Sequence, residues 1–428
     1  MTMTFTSGAP LRKLPVGIQS FEKLRRQGYL YVDKTAFVYQ LAQNGLPYFL
    51  SRPRRFGKSL LLSTFEAYFQ GKRELFEGLA IEQLETEWAP HAVLHLSLNA
   101  EDYSELEGLR NGLELQLNSW ENTYGCKNTN YSYSGRFMNV IKRAAEQSGR
   151  GVVVLIDEYD KPMLRSMHNP QLQDKFREML TAFYTVLKDA DPWLRLVFIT
   201  GVTKFAQMGI FSTLNQLSDI SFDEDYNALC GMTRLEIEAT FQPELERMTN
   251  SAGGVGISEV MEQMTRMYDG YRFTDSERFE AMYNPFSVLS ALAKRSFKNY
   301  WFASGTPTFL AEMLQKTHYD LRQLDGIEVS AASLTDDRAN PDNPVPMIYQ
   351  SGYLTIKDYD SELQLYTLGY PNEEVKYGFL NFISPFYTSV SGSNLYKDGG
   401  QIFPSACPMS KSKSWIKGRG GVGDPLIK

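Results

Sequence analysis

Residues 47–59 read PYFLSRPRRFGKS, and this segment predicts the fold class. A short apolar run opens it, and residues 60–69 follow it with the apolar spacing of a helix. The loop between them ends in GKS at 57–59, which fits the last positions of the pattern G-x-x-x-x-G-K-[ST], whereas Arg52 stands at the position of its first glycine. A strand, such a loop and a helix, in this order, predict a phosphate-binding loop on a parallel α/β sheet.

The residue types in this loop suit an anionic polyphosphate. Gly57 allows the backbone to approach phosphate oxygens, and the N–H groups that begin the following helix point at the anion. Lys58 is expected to neutralise the β and γ oxygens, and the hydroxyl of Ser59 to coordinate Mg²⁺. The predicted nucleotide-binding positions of the loop are Arg52, Arg54, Arg55, Phe56, Gly57, Lys58, Ser59 and Leu60.

The arginines of the loop leave alternatives open. Arg52 either distorts the loop or adds a phosphate contact through its guanidinium. Arg54 and Arg55 suit a polyphosphate, but two arginines are also ordinary side chains for an exposed turn. The triplet at 57–59 is weak on its own, so the flanking strand and helix carry the prediction.

A second motif follows the run VVVLI at residues 152–156, which is typical of a central parallel strand buried on both faces. The strand leads directly into Asp157 and Glu158. Asp157 is expected to hold Mg²⁺, and Glu158 to orient and polarise an attacking water. The alternative is a strand that simply leaves the core into a polar loop. Asp160 and Lys161 are more readily interpreted as solvated loop charges than as site residues.

A third strand, LRLVFIT at residues 194–200, ends in Thr200. In ATPase cores the strand beside the metal-binding carboxylate commonly ends in a polar sensor residue, which positions the lytic water or acts as a sensor of the γ-phosphate. Thr200 is therefore the predicted catalytic residue here and Thr203 the second choice, although a threonine is also an ordinary strand end. Arg234 and Arg272 remain open as candidates for an arginine finger.

Strands that alternate with helices predict an α/β fold, a parallel sheet with helices on both faces. After about residue 230 the apolar spacing becomes mainly helical, followed by a hairpin over residues 353–368. This region is predicted to be a mainly helical lid, a form compatible with a winged helix.

Composition limits the partners and the compartment. Lysine and arginine number 44 against 50 acidic residues, a net charge of −6, so nucleic acid binding is possible but the net charge does not support it. No apolar stretch approaches the ~18 residues of a membrane span. Cys126, Cys230 and Cys407 have neither metal-ligand spacing nor a disulfide pattern. With no secretory signal pattern at the N-terminus, we expect a cytoplasmic protein without a membrane anchor.

Several segments together resemble a known family, the prokaryotic AAA-ATPase-like proteins. The resemblance covers about residues 14–375 and rests on LPVGI at 14–18, YVDKT at 31–35, the loop at 47–59, LIDEYD at 155–160, ITGVTKF at 199–205, YDGY at 268–271, Trp301, GTP at 305–307 and QSGYL at 350–354. It implies an ATPase in which arginine at position 52 is usual. It also implies that Asp33 and Lys34 line the adenine or ribose.

The family commonly carries a PD-(D/E)XK-type nuclease domain after the ATPase. This sequence no longer resembles the family after about Thr388, and no Glu-x-Lys follows a buried strand there. We therefore expect no nuclease activity, and we interpret the C-terminus as truncated. The predicted divisions are an ATPase core at 14–230, a helical or winged-helix lid region at 231–370, a remnant of a C-terminal domain at 371–404 and a disordered tail at 405–428.

The sequence thus predicts a cytoplasmic hydrolase that binds Mg-ATP and acts as a conformational switch. One alternative is a nucleotide-dependent binding or adaptor module with little turnover, and a second is a non-catalytic remnant of an ATPase–nuclease protein. ATP and Mg²⁺ are the expected cofactors. The expected macromolecular partner is an unidentified protein or a second copy of the chain.

Overall fold

The computed structural model describes residues 12–387 apart from residues 100, 127–130, 205–213, 215, 252–253, 255, 277, 305–309, 311–313, 315–318 and 335–342. The predicted tail at 405–428, Cys407 and half of the predicted remnant at 371–404 lie outside the described residues.

A five-stranded parallel sheet forms the centre of the N-terminal half, in the order β2-β3-β4-β1-β5. Its strands are β1 Pro47–Ser51, β2 Val93–Ser97, β3 Val152–Asp157, β4 Leu194–Gly201 and β5 Ser218–Asp219. The predicted parallel α/β sheet is confirmed. The edge strand β5 was not predicted, because two residues are too short to show a pattern.

Strand β4 lies between β1 and β3, and this order creates the site. Leu50 of β1 pairs with Thr200 of β4, and Ile156 of β3 pairs with Ile199. Since all three strands run parallel, their carboxyl ends reach the same edge of the sheet. The loop after β1, the carboxylates after β3 and Thr200 therefore converge there.

Helices cover both faces of this sheet, as predicted. Helix α3 packs on β2 and β3, and α1 and α2 pack on α3. Helices α5, α6 and α8 pack on one another, with α6 against β3. The bounds are α1 Phe21–Arg26, α2 Thr35–Asn44, α3 Lys58–Phe69, α4 Ile81–Leu84, α5 Leu106–Tyr124, α6 Tyr133–Ser148, α7 Lys161–Arg165 and α8 Pro170–Asp189.

The C-terminal half is mainly helical and carries a small antiparallel sheet, β6-β8-β7. Strands β7 and β8 form the predicted hairpin, and β6 was not predicted. The bounds are α9 Arg234–Ser251, α10 Ile257–Tyr268, α11 Pro285–Lys294, α12 Tyr300–Ala303, β6 Ile327–Ser330, α13 Ala331–Leu334, α14 Val345–Gln350, β7 Thr355–Asp360, β8 Leu365–Gly369 and α15 Glu373–Tyr387. No helix within the described ranges is both long enough and apolar enough to cross a membrane.

The hydrophobic core does not stop at the predicted boundary near residue 230. One buried cluster runs from the sheet through Tyr271, Trp301 and Tyr353 to Phe379 of α15. A second, smaller cluster holds α9, α10 and α11 together. The C-terminal half therefore packs directly on the core that carries the phosphate loop, and the predicted domain bounds stay predictions.

Candidate nucleotide site

The phosphate loop joins β1 to α3, the strand–loop–helix order that the sequence predicts. Gly57 has a φ of 96°, a left-handed conformation that favours glycine, and α3 begins at the next residue, Lys58. Arg55 also has a positive φ of 69°. Arg52 is not among the residues with positive φ. Position 52 therefore has no conformational need for glycine, and the loop forms without it.

Lys58 closes the loop from within. Its Nζ donates hydrogen bonds to the carbonyl oxygens of Arg52 at 2.8 Å and Pro53 at 3.1 Å. The side chain is buried, and burial lowers its pKa, an effect that the nearby carboxylates of Asp157 and Glu158 offset in part. A cation held among carbonyl oxygens in a partly desolvated site is well placed to transfer to phosphate oxygens.

Arg52 takes a structural position. Its guanidinium donates to the carbonyl oxygens of Ser221 at 2.8 Å and Tyr226 at 3.3 Å, and lies 4.1 Å from the ring centroid of Phe273. The side chain is 1% exposed, and this burial lowers its pKa to about 10. In this conformation the guanidinium is engaged in the protein interior. Only the backbone carbonyl of Arg52 takes part in the loop, through Lys58.

The other loop side chains divide between cleft and core. Phe56 is buried, with its ring 4.7 Å from that of Tyr271. Arg55 is exposed and lies 4.9 Å from the ring centroid of Phe286, while Arg54 donates to the hydroxyl of Tyr353 at 3.5 Å. Phe56 therefore anchors the loop, while both arginines line the cleft.

Asp157 and Thr200 are in direct contact at the carboxyl edge of the sheet. The hydroxyl of Thr200 donates a 2.8 Å hydrogen bond to Oδ1 of Asp157. Thr200 is fully buried and Asp157 is 6% exposed. This bond fixes one oxygen of the carboxylate, and Oδ2 has no hydrogen-bond partner among the described residues.

Glu158 enters the cleft in an uncommon backbone conformation, with a φ of 51°. Its carboxylate lies 3.3 Å from Nζ of Lys161, which in turn contacts the side chain and the carbonyl of Asn99. The interpretation of Lys161 as a solvated charge is therefore corrected, since its ammonium is bonded at the edge of the cleft. A non-glycine residue held in the left-handed region is typical of functional sites.

Asp160 is also not a solvated loop charge. It is 1% exposed, and its Oδ2 accepts from the backbone N–H of Val202 at 2.9 Å and from both the N–H and the hydroxyl of Thr203 at 2.6 Å. Burial raises the pKa of Asp160. The carboxylate thus ties the turn after β3 to the turn after β4. Thr203, the second choice for the sensor, is occupied in this contact.

Two cavities meet at the phosphate loop. A cleft contains Lys58, Ser59 and Glu158, and a mostly apolar pocket adjoins it, since Gly57 and Leu60 line both. The cleft is lined by Gly17, Ile18, Gln19, Arg54, Arg55, Gly57, Lys58, Ser59, Leu60, Asn99, Glu158, Pro285, Phe286, Leu289 and Ser304. The apolar pocket is lined by Pro15, Leu24, Leu30, Tyr31, Val32, Lys34, Phe56, Gly57, Leu60, Leu61, Leu229, Cys230, Gly231, Met232, Phe241, Pro285 and Leu289.

Asp33 does not line either cavity. Its carboxylate accepts from the backbone N–H of Thr35 at 2.8 Å and from that of Ala80 at 2.7 Å, so it organises the start of α2. The neighbouring Lys34 is buried, forms an ion pair with Glu236 and lines the apolar pocket. Of the two residues that the resemblance implies for the adenine or ribose, Lys34 is the one that lines a cavity.

The oxygen donors present suit Mg²⁺. The carboxylate of Asp157 and the hydroxyl of Ser59 are hard ligands, and Mg²⁺ is usually held by one or two such groups together with phosphate oxygens and water. No group of three or more His, Cys, Asp or Glu side chains within the described ranges is arranged to hold a metal by itself. A metal at this edge would accordingly share its ligands with a bound polyphosphate.

Sequence reasoning missed the contacts behind the loop. Trp301 donates from Nε1 to the carbonyl of Arg54 at 2.9 Å, and Gly352 packs against Pro53. Both residues were noted only as points of family resemblance. No local pattern marks such contacts, because they join positions that are hundreds of residues apart in the chain.

Comparison with known proteins identifies the family. A family model described as "Predicted AAA-ATPase" matches residues 15–211. An uncharacterized protein in the vnfD 5′ region of Azotobacter chroococcum mcd 1 is 38% identical over 369 residues, which is 85% of this chain and 68% of that protein. This chain thus spans about two thirds of that relative's length.

The solved structure of the Aeropyrum pernix ORC2 protein in its ADPNP–ADP complexes matches over 89% of this chain and 97% of that chain, at 10% identity. Its TM-score is 0.28, a likeness from which no conclusion is drawn. The residues that the family model matches include the phosphate loop and the strands that carry Asp157 and Thr200. The chain described here belongs to the AAA-ATPase-like family.

Proposed function

We propose that this protein binds Mg-ATP in the cleft beside the phosphate loop and hydrolyses it to ADP and phosphate. The observation that carries the proposal is the convergence of Lys58, Ser59 and Glu158 in one cleft, with the Thr200–Asp157 pair at the same edge of the sheet. A cation, a hydroxyl and two carboxylates are the groups that phosphoryl transfer from Mg-ATP to water requires.

Each group has a distinct role in the proposed reaction. Lys58 leaves the loop carbonyls and donates to the β and γ phosphate oxygens, and Ser59 and Asp157 are the residues that would hold Mg²⁺. The metal supplies neutralisation of phosphate charge when bound. Glu158 accepts the proton of a water whose oxygen attacks the γ phosphorus as the bond from that phosphorus to the β–γ bridging oxygen breaks. Thr200 keeps Asp157 in the required orientation.

The adjoining apolar pocket is the proposed site of the base. It begins at Gly57 and Leu60, which also line the phosphate cleft, so a ligand in both cavities would pass from phosphate to base along the start of α3. Its lining between Leu229 and Met232 is mostly apolar, which suits a flat aromatic ring system. The contact of Asp33 with the base or ribose is not retained, because its carboxylate is bonded within the protein.

The test is Mg²⁺-dependent nucleotide binding and turnover by the full chain and two variants. Lys58→Ala should weaken ATP binding by roughly 10- to 100-fold, because charge-assisted hydrogen bonds to phosphate are lost. Glu158→Gln should keep binding but lower turnover by about 100-fold or more, because the general base is removed. Inorganic triphosphate should bind at least about tenfold more weakly than ATP, because it leaves the apolar pocket unfilled.

Matched controls are Lys188→Ala and Glu178→Gln, both exposed residues on α8. They should bind and hydrolyse ATP as the wild type does. If the wild-type protein is folded but binds no ATP, the proposed function is wrong. Unchanged turnover in Glu158→Gln would show that the assigned base is wrong.

A second candidate, a nucleotide-dependent binding module with little turnover, is favoured by one observation. The carboxylate of Glu158 is already paired with Lys161, and Lys161 is itself bonded to Asn99. A base held in this way is less available to a water. Tight ATP binding without release of phosphate would support this candidate over the ATPase.

A further inference from the structure

The phosphate loop contacts the C-terminal half of the chain through residues 53 and 54. The indole N–H of Trp301 holds the Arg54 carbonyl at 2.9 Å. Gly352 has a φ of 88°, and a Cβ placed on it would stand 2.6 Å from Cβ of Pro53. The backbone of Arg54 is therefore held by a hydrogen bond, and the ring of Pro53 is held by close packing on Gly352.

Trp301 is itself fixed by a buried carboxylate on the last described helix. Glu374 of α15 is 1% exposed. Its Oε1 accepts from the backbone N–H of Trp301 at 2.7 Å, and its Oε2 accepts from the hydroxyl of Ser287 at 2.7 Å. Ser287 lies in α11, and Pro285 and Phe286 at the start of that helix line the phosphate cleft. One side chain thus joins α15 to both elements that face the nucleotide site.

Aromatic packing provides a second connection between the loop and α15. The ring of Tyr353, whose hydroxyl accepts from Arg54, lies 5.2 Å from Trp301 and 5.1 Å from Phe379 of α15. A Cβ on Gly378 would stand 2.6 Å from the ring of Phe302 in α12, so α12 and α15 are in close contact. Packed interiors of this density transmit a displacement from one element to the next.

We propose that Trp301 is a positioning residue for the phosphate loop, and that Glu374 fixes Trp301 so that nucleotide at the loop and the packing of α15 depend on each other. The dependence on nucleotide rests on the proposed function, whereas the positioning of the loop does not. Lys58 must release the carbonyls of Arg52 and Pro53 to reach a phosphate. The loop that changes in this way is the same loop that Trp301 and Gly352 hold from outside.

The experiment is hydrogen–deuterium exchange on the full chain, with and without a non-hydrolysable ATP analogue and Mg²⁺. Trp301→Phe removes the indole N–H and keeps an aromatic ring. Without nucleotide, peptides within residues 48–62 should exchange about five- to tenfold faster in this variant, because the Arg54 carbonyl loses its donor. Trp120→Phe, at another buried tryptophan far from the loop, is the matched control and should leave these peptides unchanged.

With the analogue, peptides within residues 373–384 should exchange more slowly in the wild type, and this protection should be lost in Trp301→Phe. Glu374→Ala should behave like Trp301→Phe. Glu374→Gln keeps an acceptor for the Trp301 N–H and should retain the coupling, which separates loss of the contact from general loss of folding.

The outcomes separately test the positioning role of Trp301, the coupling between the loop and α15, and nucleotide binding. Equal exchange of the loop in Trp301→Phe and wild type would overturn the positioning role. Protection of the loop by the analogue, with no change at residues 373–384, would overturn the coupling and leave nucleotide binding intact. No protection anywhere in the wild type would remove both the proposed function and the coupling, while the nucleotide-free comparison would still decide the role of Trp301.

Discussion

The hydroxyl of Thr200 lies 2.8 Å from Oδ1 of Asp157, and both residues are buried. The two belong to adjacent parallel strands, and their contact follows from the register that pairs Ile156 with Ile199. A hydrogen-bond donor to one oxygen of a metal-binding carboxylate determines the direction in which the other oxygen points. The residue that the sequence predicts as a sensor of the γ-phosphate is therefore, in this structure, a support for Asp157.

Thr200→Val is predicted to lower Mg²⁺-dependent turnover by about 10- to 100-fold, because valine keeps the shape of the side chain and removes the hydroxyl. The loss should be smaller when Mg²⁺ is raised, since the defect lies in the orientation of a metal ligand. Steady-state kinetics over a Mg²⁺ titration measure it. Thr185→Val on α8 is the control, and equal Mg²⁺ dependence in both variants would contradict the role given to Thr200.

Arg52→Lys is predicted to destabilise the protein by roughly 2–4 kcal/mol. A lysine does not reproduce two hydrogen bonds to the carbonyls of Ser221 and Tyr226 together with stacking on Phe273, so buried acceptors are left unpaired. Urea denaturation measures the change. The exposed Arg26→Lys is the matched control, and it should stay within about 0.5 kcal/mol of wild type. A variant as stable as wild type that no longer binds ATP would instead make the guanidinium a phosphate ligand.

Glu374→Gln is predicted to remove part of the dependence of stability on pH. Burial raises the pKa of Glu374 from 4.5 to about 7, and its partners among the described residues are a hydroxyl and backbone N–H groups rather than a cation. A raised carboxyl pKa means that the folded state holds its proton more tightly than the unfolded state. Its stabilising contribution is present below about pH 4.5 and is lost as the pH rises towards 7, by roughly 3 kcal/mol.

Thermal unfolding between pH 5 and pH 8 measures this effect. The melting temperature of wild type should fall by several degrees more than that of Glu374→Gln over this range. Asp269, whose pKa burial raises to about 6, contributes a dependence of the same sign, so Asp269→Asn is a parallel variant. An identical slope in wild type and Glu374→Gln would contradict the assignment.

The parts of the fold that could be predicted are those with a local signal. The aliphatic run of β3 and the mixed apolar run of β4 identify buried parallel strands, and the apolar spacing of α3 places the loop correctly. Strands β5 and β6 were not predicted, because a segment of two to four residues is too short to show an alternation of apolar and polar side chains. Their pairing is determined by neighbours that are distant in sequence.

The same distinction holds for the site. The positions of Lys58, Asp157 and Thr200 in the fold could be predicted because strand ends and loop motifs fix them, whereas their roles stay predictions. The burial of Arg52 could not be predicted, since its acceptors lie about 170 residues away and depend on tertiary packing. For Asp33 the reason is local and not tertiary. A short polar side chain before a helix readily accepts from the nearby backbone N–H groups, and the carboxylate of Asp33 is engaged in such bonds instead of lining a cavity.

The packing of Phe56 and Arg52 on Tyr271 and Phe273 has a consequence for the evolution of the chain. A cut near residue 230 would separate a nucleotide motif from the aromatic rings that give it its shape. Recombination at that point would therefore exchange only half of the contacts that shape the loop, and not a complete, independently folding domain. The two halves are therefore expected to be inherited together. A substitution among the contacting residues of one half is expected to be accompanied by a substitution in the other half.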